Sequence, residues 1–284
     1  MGSPGQCKGP PMITTAELHR TAAREGLRFD QSEKDYIILL ILSALSEILD
    51  RKNQWFFKGG TCLRHCYYPG YRFSEDIDFS CTRTGDDVRQ ALDVLMQAVG
   101  VLSEKTGIMM RCKEPRTDEE NVQVEIPIEY SRGGPRRQSL PVVKVHLSFE
   151  EPLFISPEAR PVQPPYSEIN PFSLAAYSKI EIVAEKVRAL LQQQEKWPRP
   201  RDLYDLWYIT CHKGEVFDRS QLRQLFEQKC QIRGIQADVS RLRSKHLYEW
   251  NREAWTSQLL TMLKTAPEYD VVWAEWTVKC DEII

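Results

Sequence analysis

The sequence predicts a two-lobe α/β (α+β) protein, with a small mixed sheet in the N-terminal lobe and helices alone in the C-terminal lobe. Three observations carry this expectation. Strand-like runs are confined to residues 55–149. A proline-rich stretch follows, with Pro152, Pro157, Pro161, Pro164, Pro165 and Pro171, a composition that marks a stiff, extended connector. Everything after it keeps helical spacing. The expected organisation is a disordered N-terminus over 1–11, a first lobe over 12–151, a connector over 152–171 and a helical lobe over 172–284.

Residues 1–11, MGSPGQCKGPP, have nothing to bury and lack the apolar core of a secretory signal. Thr15 is the expected N-cap of a helix over Ala16–Glu25 that Gly26 ends. Ser32 is the expected cap of a longer helix from Glu33 to about Lys52, with one apolar side formed by Ile37, Leu40, Ile41, Leu45, Ile48 and Leu49. A helix is predicted over 86–106. Val122–Ile128 and Val142–Phe149 alternate as strands and are joined by a turn through Gly133-Gly134-Pro135. Pro127 points to an edge or a bulge in the first of them. In the second lobe, helices are predicted over Ser173–Gln194, Gln221–Ile232, Ala237–Lys264 and Glu268–Lys279.

The stretch Phe56 to Ser80, FFKGGTCLRHCYYPGYRFSEDIDFS, carries the chemistry. An apolar strand, Trp55-Phe56-Phe57, runs into Gly59-Gly60-Thr61 and a short helix. A turn at Pro69-Gly70 leads to a strand on which Asp76 and Asp78 alternate with Ile77 and Phe79. Residues two apart on a strand share a face, so the carboxylates project together while Ile77 and Phe79 enter a core. Paired carboxylates suit Mg²⁺, a hard cation usually shared with substrate phosphates. A Gly-Gly turn lets backbone N–H groups approach a phosphate, and the following helix start favours the same anion. Taken singly, Gly-Gly marks a turn and Asp-x-Asp a solvated strand face. Their order between apolar strands points to a site for a metal-bound nucleoside triphosphate (NTP). Lys58 and Arg72 flank it, as cations for the triphosphate or as solvated strand-end residues.

FKGGT followed by RFSEDIDFS resembles the DNA polymerase β-type nucleotidyltransferase superfamily, whose pattern is hG[GS], a helix, then Dh[DE]h. More narrowly the chain is similar to the AbiEii/AbiGii toxin family, which includes the MenT-like toxins. The resemblance extends from about residue 12 to 280. It implies a nucleotidyltransferase-like first lobe in which Gly59, Gly60 and Thr61 hold the phosphates and Asp76 and Asp78 hold Mg²⁺. It also implies transfer of a nucleotide to a tRNA 3′ end, a block of translation, and a separately encoded antitoxin. A third carboxylate is expected on the strand Val142–Phe149, but His146 stands at that position, with Glu125 or Glu150 as candidates to compensate.

Two further elements resemble the family. EIVAEKVRAL places Lys186 where the family supplies a lysine to its active site, with Glu181 and Glu185 at its acidic positions; the alternative is an exposed helix cation. RDLYDL places Asp202 and Asp205 side by side on a helix, where they orient Lys186, contact the nucleotide, or pair with Arg201 in a helix start. The third lobe feature is a dense set of cations, Arg223, Lys229, Arg233, Arg241, Arg243, Lys245 and Arg252, interleaved with Trp250 and Trp255. It suits an RNA acceptor end or a solvated face.

The formal net charge of −2 excludes a global basic field. No apolar run is long enough to span a bilayer. The eight cysteines are unsystematically spaced, which suggests reduced thiols and a cytoplasmic setting. Cys62, His65 and Cys66 lack a second zinc-spaced pair and read as small packed residues. Two rival functions remain: a nucleotide- or RNA-binding protein that kept the fold without chemistry, favoured by His146, and a nucleotidyltransferase acting on a protein hydroxyl.

Overall fold

The computed structural model describes residues 13–49, 55–81, 87–118, 123–133, 139–149, 151–192 and 197–284. The readings of residues 1–11, of the turn beyond Gly133 and of Glu150 lie outside them. The chain forms two compact units, Met1–Pro152 with Glu158–Ala176, and Leu153–Pro157 with Tyr177–Ile284.

The first unit opens with α1 (Thr15–Glu25) and α2 (Phe29–Ile48). The cap of α1 is Thr14, not Thr15. Its hydroxyl accepts from Glu17 N at 3.2 Å, and the Glu17 carboxylate accepts from Thr14 N at 3.0 Å. That reciprocal pair needs a three-residue separation, which only Thr14 has. Gly26 ends the helix at φ 71°, a conformation that favours glycine. Helix α2 begins four residues ahead of the expectation. Ser32 sits buried inside it, its hydroxyl donating to Leu18 O at 3.4 Å. Nor does α2 bury one side only: Tyr36 through Leu42 are all buried, as a helix apolar all round must be.

One mixed sheet contains β1 (Trp55–Lys58), β2 (Asp76–Cys81), β3 (Met109–Cys112), β4 (Arg116–Thr117), β5 (Gln123–Ser131), β6 (Val142–Ser148), β7 (Glu158–Val162) and β8 (Phe172–Ala176). The order is β3-β5-β6-β2-β1-β8-β7, with β4 also on β5. The β2–β6 and β1–β8 pairs are parallel and the rest antiparallel. Pro127 lies inside the sheet, not at an edge. Its carbonyl faces Lys113 N at 2.8 Å, between the pairings of β3 and β4, where a missing N–H interrupts no ladder. Helix α4 (Asp87–Thr106) packs on α2 and β3, and the short α3 (Gly59–Cys62) follows β1.

The proline-rich stretch is not a bare connector. It carries β7, and β8 follows it directly. Pro161 is tolerated because β7 is an edge strand. Between them Tyr166 is buried, its hydroxyl donating to Ser32 O at 2.9 Å and lying 3.0 Å from Asp35 Oδ2.

The second unit is helical: α5 (Lys179–Gln192), α6 (Pro200–Trp207), α7 (Arg219–Ile232), α8 (Lys245–Leu259) and α9 (Tyr269–Ile283). Helix α5 starts six residues later than the spacing suggested, because Ser173–Ala176 belong to β8 and Ser178 accepts from Glu181 N at 3.4 Å. The expected single helix Ala237–Lys264 is broken. A 3₁₀ turn over Val239–Arg243 precedes Ser244, whose hydroxyl accepts from Leu247 N at 3.2 Å and starts α8. Trp255 is buried against Tyr269, with ring centroids 5.0 Å apart, and donates its indole N–H to Pro267 O.

Candidate active site

Strand β1 delivers the chain to Gly59, which takes φ 77°. A Cβ there would lie 2.2 Å from Asp78 Oδ2, so the backbone approaches the carboxylate as only glycine allows. A Cβ on Gly60 would meet Ser74 Oγ at 2.8 Å and Arg72 Nη2 at 2.9 Å. The turn, Asp78, Arg72 and Ser74 therefore form one neighbourhood. Helix α3 is a single turn that passes into a π-helical turn over Leu63–Tyr67. Together they form the short helical run expected after the glycines.

Asp76 and Asp78 share a face of β2, while Ile77 and Phe79 are fully buried. Burial, then the Asp78 charge, raises the Asp76 carboxyl above its ordinary range, with His146 and Lys34 opposing. Thr61, expected beside phosphate, is buried and its hydroxyl donates to the Asp76 carbonyl. Lys58, expected to face the triphosphate, is likewise buried, in an ion pair with Glu151. Arg72 is buried too, donating to Phe73 O at 3.1 Å.

Strand β6 runs parallel to β2 and sets His146 opposite Asp78. His146 Nδ1 lies 3.1 Å from Asp78 Oδ1, and Nε2 lies 3.4 Å from Glu125 Oε2. Burial alone would lower the imidazole pKa. The hydrogen bond and charge of Asp78, with Asp76 and Glu125, raise it to about 9. Glu125 reaches the site from β5 but is not a free third carboxylate. It pairs with Lys144 at 2.8 Å and Arg116 at 3.0 Å. Burial opposes its ionisation, yet the hydrogen bonds of Lys144 and His146 outweigh this and lower its pKa. The Asp78–His146–Glu125 chain and the Lys58–Glu151 pair were not read from sequence. The β5–β6 register, which sets Glu125 opposite His146, is the signal that links the former.

Among the described residues, no group of three or more His, Cys, Asp and Glu side chains is arranged to hold a metal ion. Asp76 and Asp78 supply two hard oxygen donors whose mutual repulsion a cation relieves. That set fits Mg²⁺, which keeps water and phosphate oxygens as its other ligands. Cys62 hydrogen-bonds Cys66, and His65 pairs with Asp35 at 3.1 Å, so the three do not converge on zinc. The described cysteines carry no disulfide.

In the second unit, Lys186 Nζ lies 2.7 Å from Asp202 Oδ1 and 2.7 Å from Asp205 Oδ2. Arg199 adds a second contact to Asp202 at 3.0 Å. Lys186 is buried, not an exposed helix cation. Asp202 and Asp205 thus hold Lys186, with Leu203 and Leu206 fully buried on the other side of α6. The basic face suggested for RNA is largely internally paired: Arg223 with Glu227, Arg243 with Asp281, Lys245 with Glu249 and Arg252 with Asp270. Lys229 is buried against Glu181 at 3.2 Å.

A sequence model of the nucleotidyl transferase AbiEii toxin family, of a type IV toxin–antitoxin system, matches residues 41–277. No curated protein sequence matches the chain significantly. Among solved structures, the chain is similar to MenT4, a nucleotidyltransferase toxin from Mycobacterium tuberculosis H37Rv, with TM-score 0.66 and 20% identity over 94% of this chain and 88% of that one. It is also similar to JHP933 from Helicobacter pylori, with TM-score 0.53 and 16% identity over 89% and 91% of the two chains. At these identities the likeness is one of fold.

Proposed function

The chain belongs to the AbiEii nucleotidyl transferase toxin family, and from that premise we propose that it transfers a nucleotidyl group from an NTP to the 3′ end of a tRNA and so blocks translation. A separately encoded antitoxin is its partner, and the cytoplasm is where it acts. Among the described residues no helix is long and apolar enough to cross a membrane. The observation that carries the reading is the approach of the Gly59 backbone to Asp78, beside Asp76 on the same strand face.

In this reading Asp76 and Asp78 hold Mg²⁺, and the backbone of Gly59 and Gly60 lies along the phosphates. Bound Mg²⁺ neutralises triphosphate charge as a Lewis acid. Arg72, beside Gly60, adds a cation. Thr61 acts through the Asp76 backbone, and Lys58 through its Glu151 pair, so both shape the site rather than face the nucleotide. Lys186, held by Asp202 and Asp205, is the second unit's candidate catalytic cation. The acceptor hydroxyl attacks the α-phosphorus and loses its proton to solvent, the new P–O bond forms, and the bond to pyrophosphate breaks.

The test is incubation of the purified protein with tRNA, Mg²⁺ and each labelled NTP. Labelled tRNA is expected with one or more NTPs, and none from a folded Asp76→Ala, Asp78→Ala double variant. Labelling retained by that variant removes the carboxylates from the mechanism. Triphosphate binding with no transfer to any acceptor supports the non-catalytic reading that His146 favours, and label on protein points to a protein hydroxyl.

A further inference from the structure

We propose that this site takes one divalent cation, not two, and that His146 is the positioning residue that sets this number. The inference rests on the reading above that Asp76 and Asp78 are metal ligands. Two-ion centres place their ions about 3.5–4 Å apart, held by oxygens on both sides. Here the strand positions beside the two carboxylates carry nitrogen-bearing side chains. On β6, Lys144 stands opposite Asp76 and His146 opposite Asp78. On β1, Lys58 stands opposite Asp78.

The oxygens themselves are also allocated. Asp78 Oδ1 faces His146 Nδ1 at 3.1 Å, so the β6 side of that oxygen is occupied while the contact holds. Asp78 Oδ2 remains, on the side of the Gly59 backbone. The next acid along the sheet, Glu125, is held by Lys144, Arg116 and His146. The set left for a metal is Asp76 with one oxygen of Asp78. A hard octahedral ion completed by water and phosphate oxygens suits such a pair. A second ion would have to displace His146 from Asp78. His146 thus orients Asp78, as outer groups commonly orient a ligand, and closes the flank where a second ion would bind.

The experiment counts Mn²⁺ on the full chain. Mn²⁺ is titrated in the presence of the α,β-methylene analogues of the four nucleoside triphosphates in turn, and bound ion is read by electron paramagnetic resonance. One ion per chain with an uncoupled spectrum is expected. His146→Asp replaces the nitrogen flank by an oxygen ligand and is expected to raise the count to two, with a spin-coupled signal. His146→Asn keeps a donor near the Nδ1 position and is expected to leave the count at one. Two ions on the unaltered chain overturn the inference without any variant. So does a folded His146→Asp variant that still binds one. If Asp76→Ala and Asp78→Ala leave Mn²⁺ binding unchanged, or the unaltered chain binds none, the ligand assignment itself fails and this inference with it.

Discussion

Lys186 and Asp205 form a buried ion pair at 2.7 Å that joins α5 to α6. Asp205 is fully buried, whereas Asp202 retains partial exposure and a second cation in Arg199. The two aspartates are therefore unequal. Removing one partner of a buried pair leaves an uncompensated charge and destabilises by about 3–5 kcal/mol. Either single removal leaves Lys186 one carboxylate, so both losses are expected below that range. Asp205→Ala is expected to cost more than Asp202→Ala, because Asp205 is fully buried and the Asp202 that would remain is shared with Arg199. Urea unfolding followed by the fluorescence of the second unit's tryptophans checks the order; equal losses would contradict it.

Gly59 and Gly60 are likewise unequal. An alanine Cβ at Gly59 meets the Asp78 carboxylate and sits at φ 77°. At Gly60 it meets the ends of Ser74 and Arg72, which can turn aside. Displacing a reacting group by about 1 Å costs on the order of 100-fold in rate. Gly59→Ala is expected to lower transfer by about that factor and Gly60→Ala by roughly tenfold less, measured as initial rates of label incorporation.

The face shared by Asp76 and Asp78 was legible because period two is a local property of a strand. The fate of Lys58 and Thr61 was not, since it depends on Glu151 and on the Asp76 carbonyl, far along the chain. Lys186 has no acid within its own helix at i±3 or i±4, and its partners come from α6. Strands β7 and β8 are hidden in the sequence because the prolines around them mimic a linker; β8 is held by the pairing of Phe57 on β1 with Ala176, and β7 by its ladder on β8. The start of α8 at Ser244 is a local cap that continuous helical spacing concealed.

Asp35 gives the first unit a pH dependence. Burial pushes its carboxyl up, but the charges of His65 and Arg64 and the Tyr166 hydroxyl outweigh this, so its pKa lies below the ordinary value. A depressed folded-state pKa contributes stability that is fully present above the unfolded value, near 3.9, and is lost as pH falls through the folded one. The stability difference between the unaltered chain and Asp35→Asn is expected to stay level from pH 7 to about 5 and to shrink below about 4. Denaturant unfolding at stepped pH reads this directly, and a difference that grows on acidification would contradict it.

Thr61 offers a separation of stability from nucleotide binding. Its hydroxyl is buried and donates to the Asp76 carbonyl, tying the glycine turn to the carboxylate strand. Thr61→Ser keeps the donor. Thr61→Val keeps the shape and leaves a partly buried carbonyl short of a partner, a loss of about 1 kcal/mol. Because β2 then loses a tether just where Asp76 projects, kcat is expected to fall in Thr61→Val while KM for the NTP changes little. A hydroxyl bound to phosphate would give the opposite split, with KM rising and stability unmoved. Parallel measurement of urea unfolding and steady-state transfer in the two variants distinguishes these outcomes.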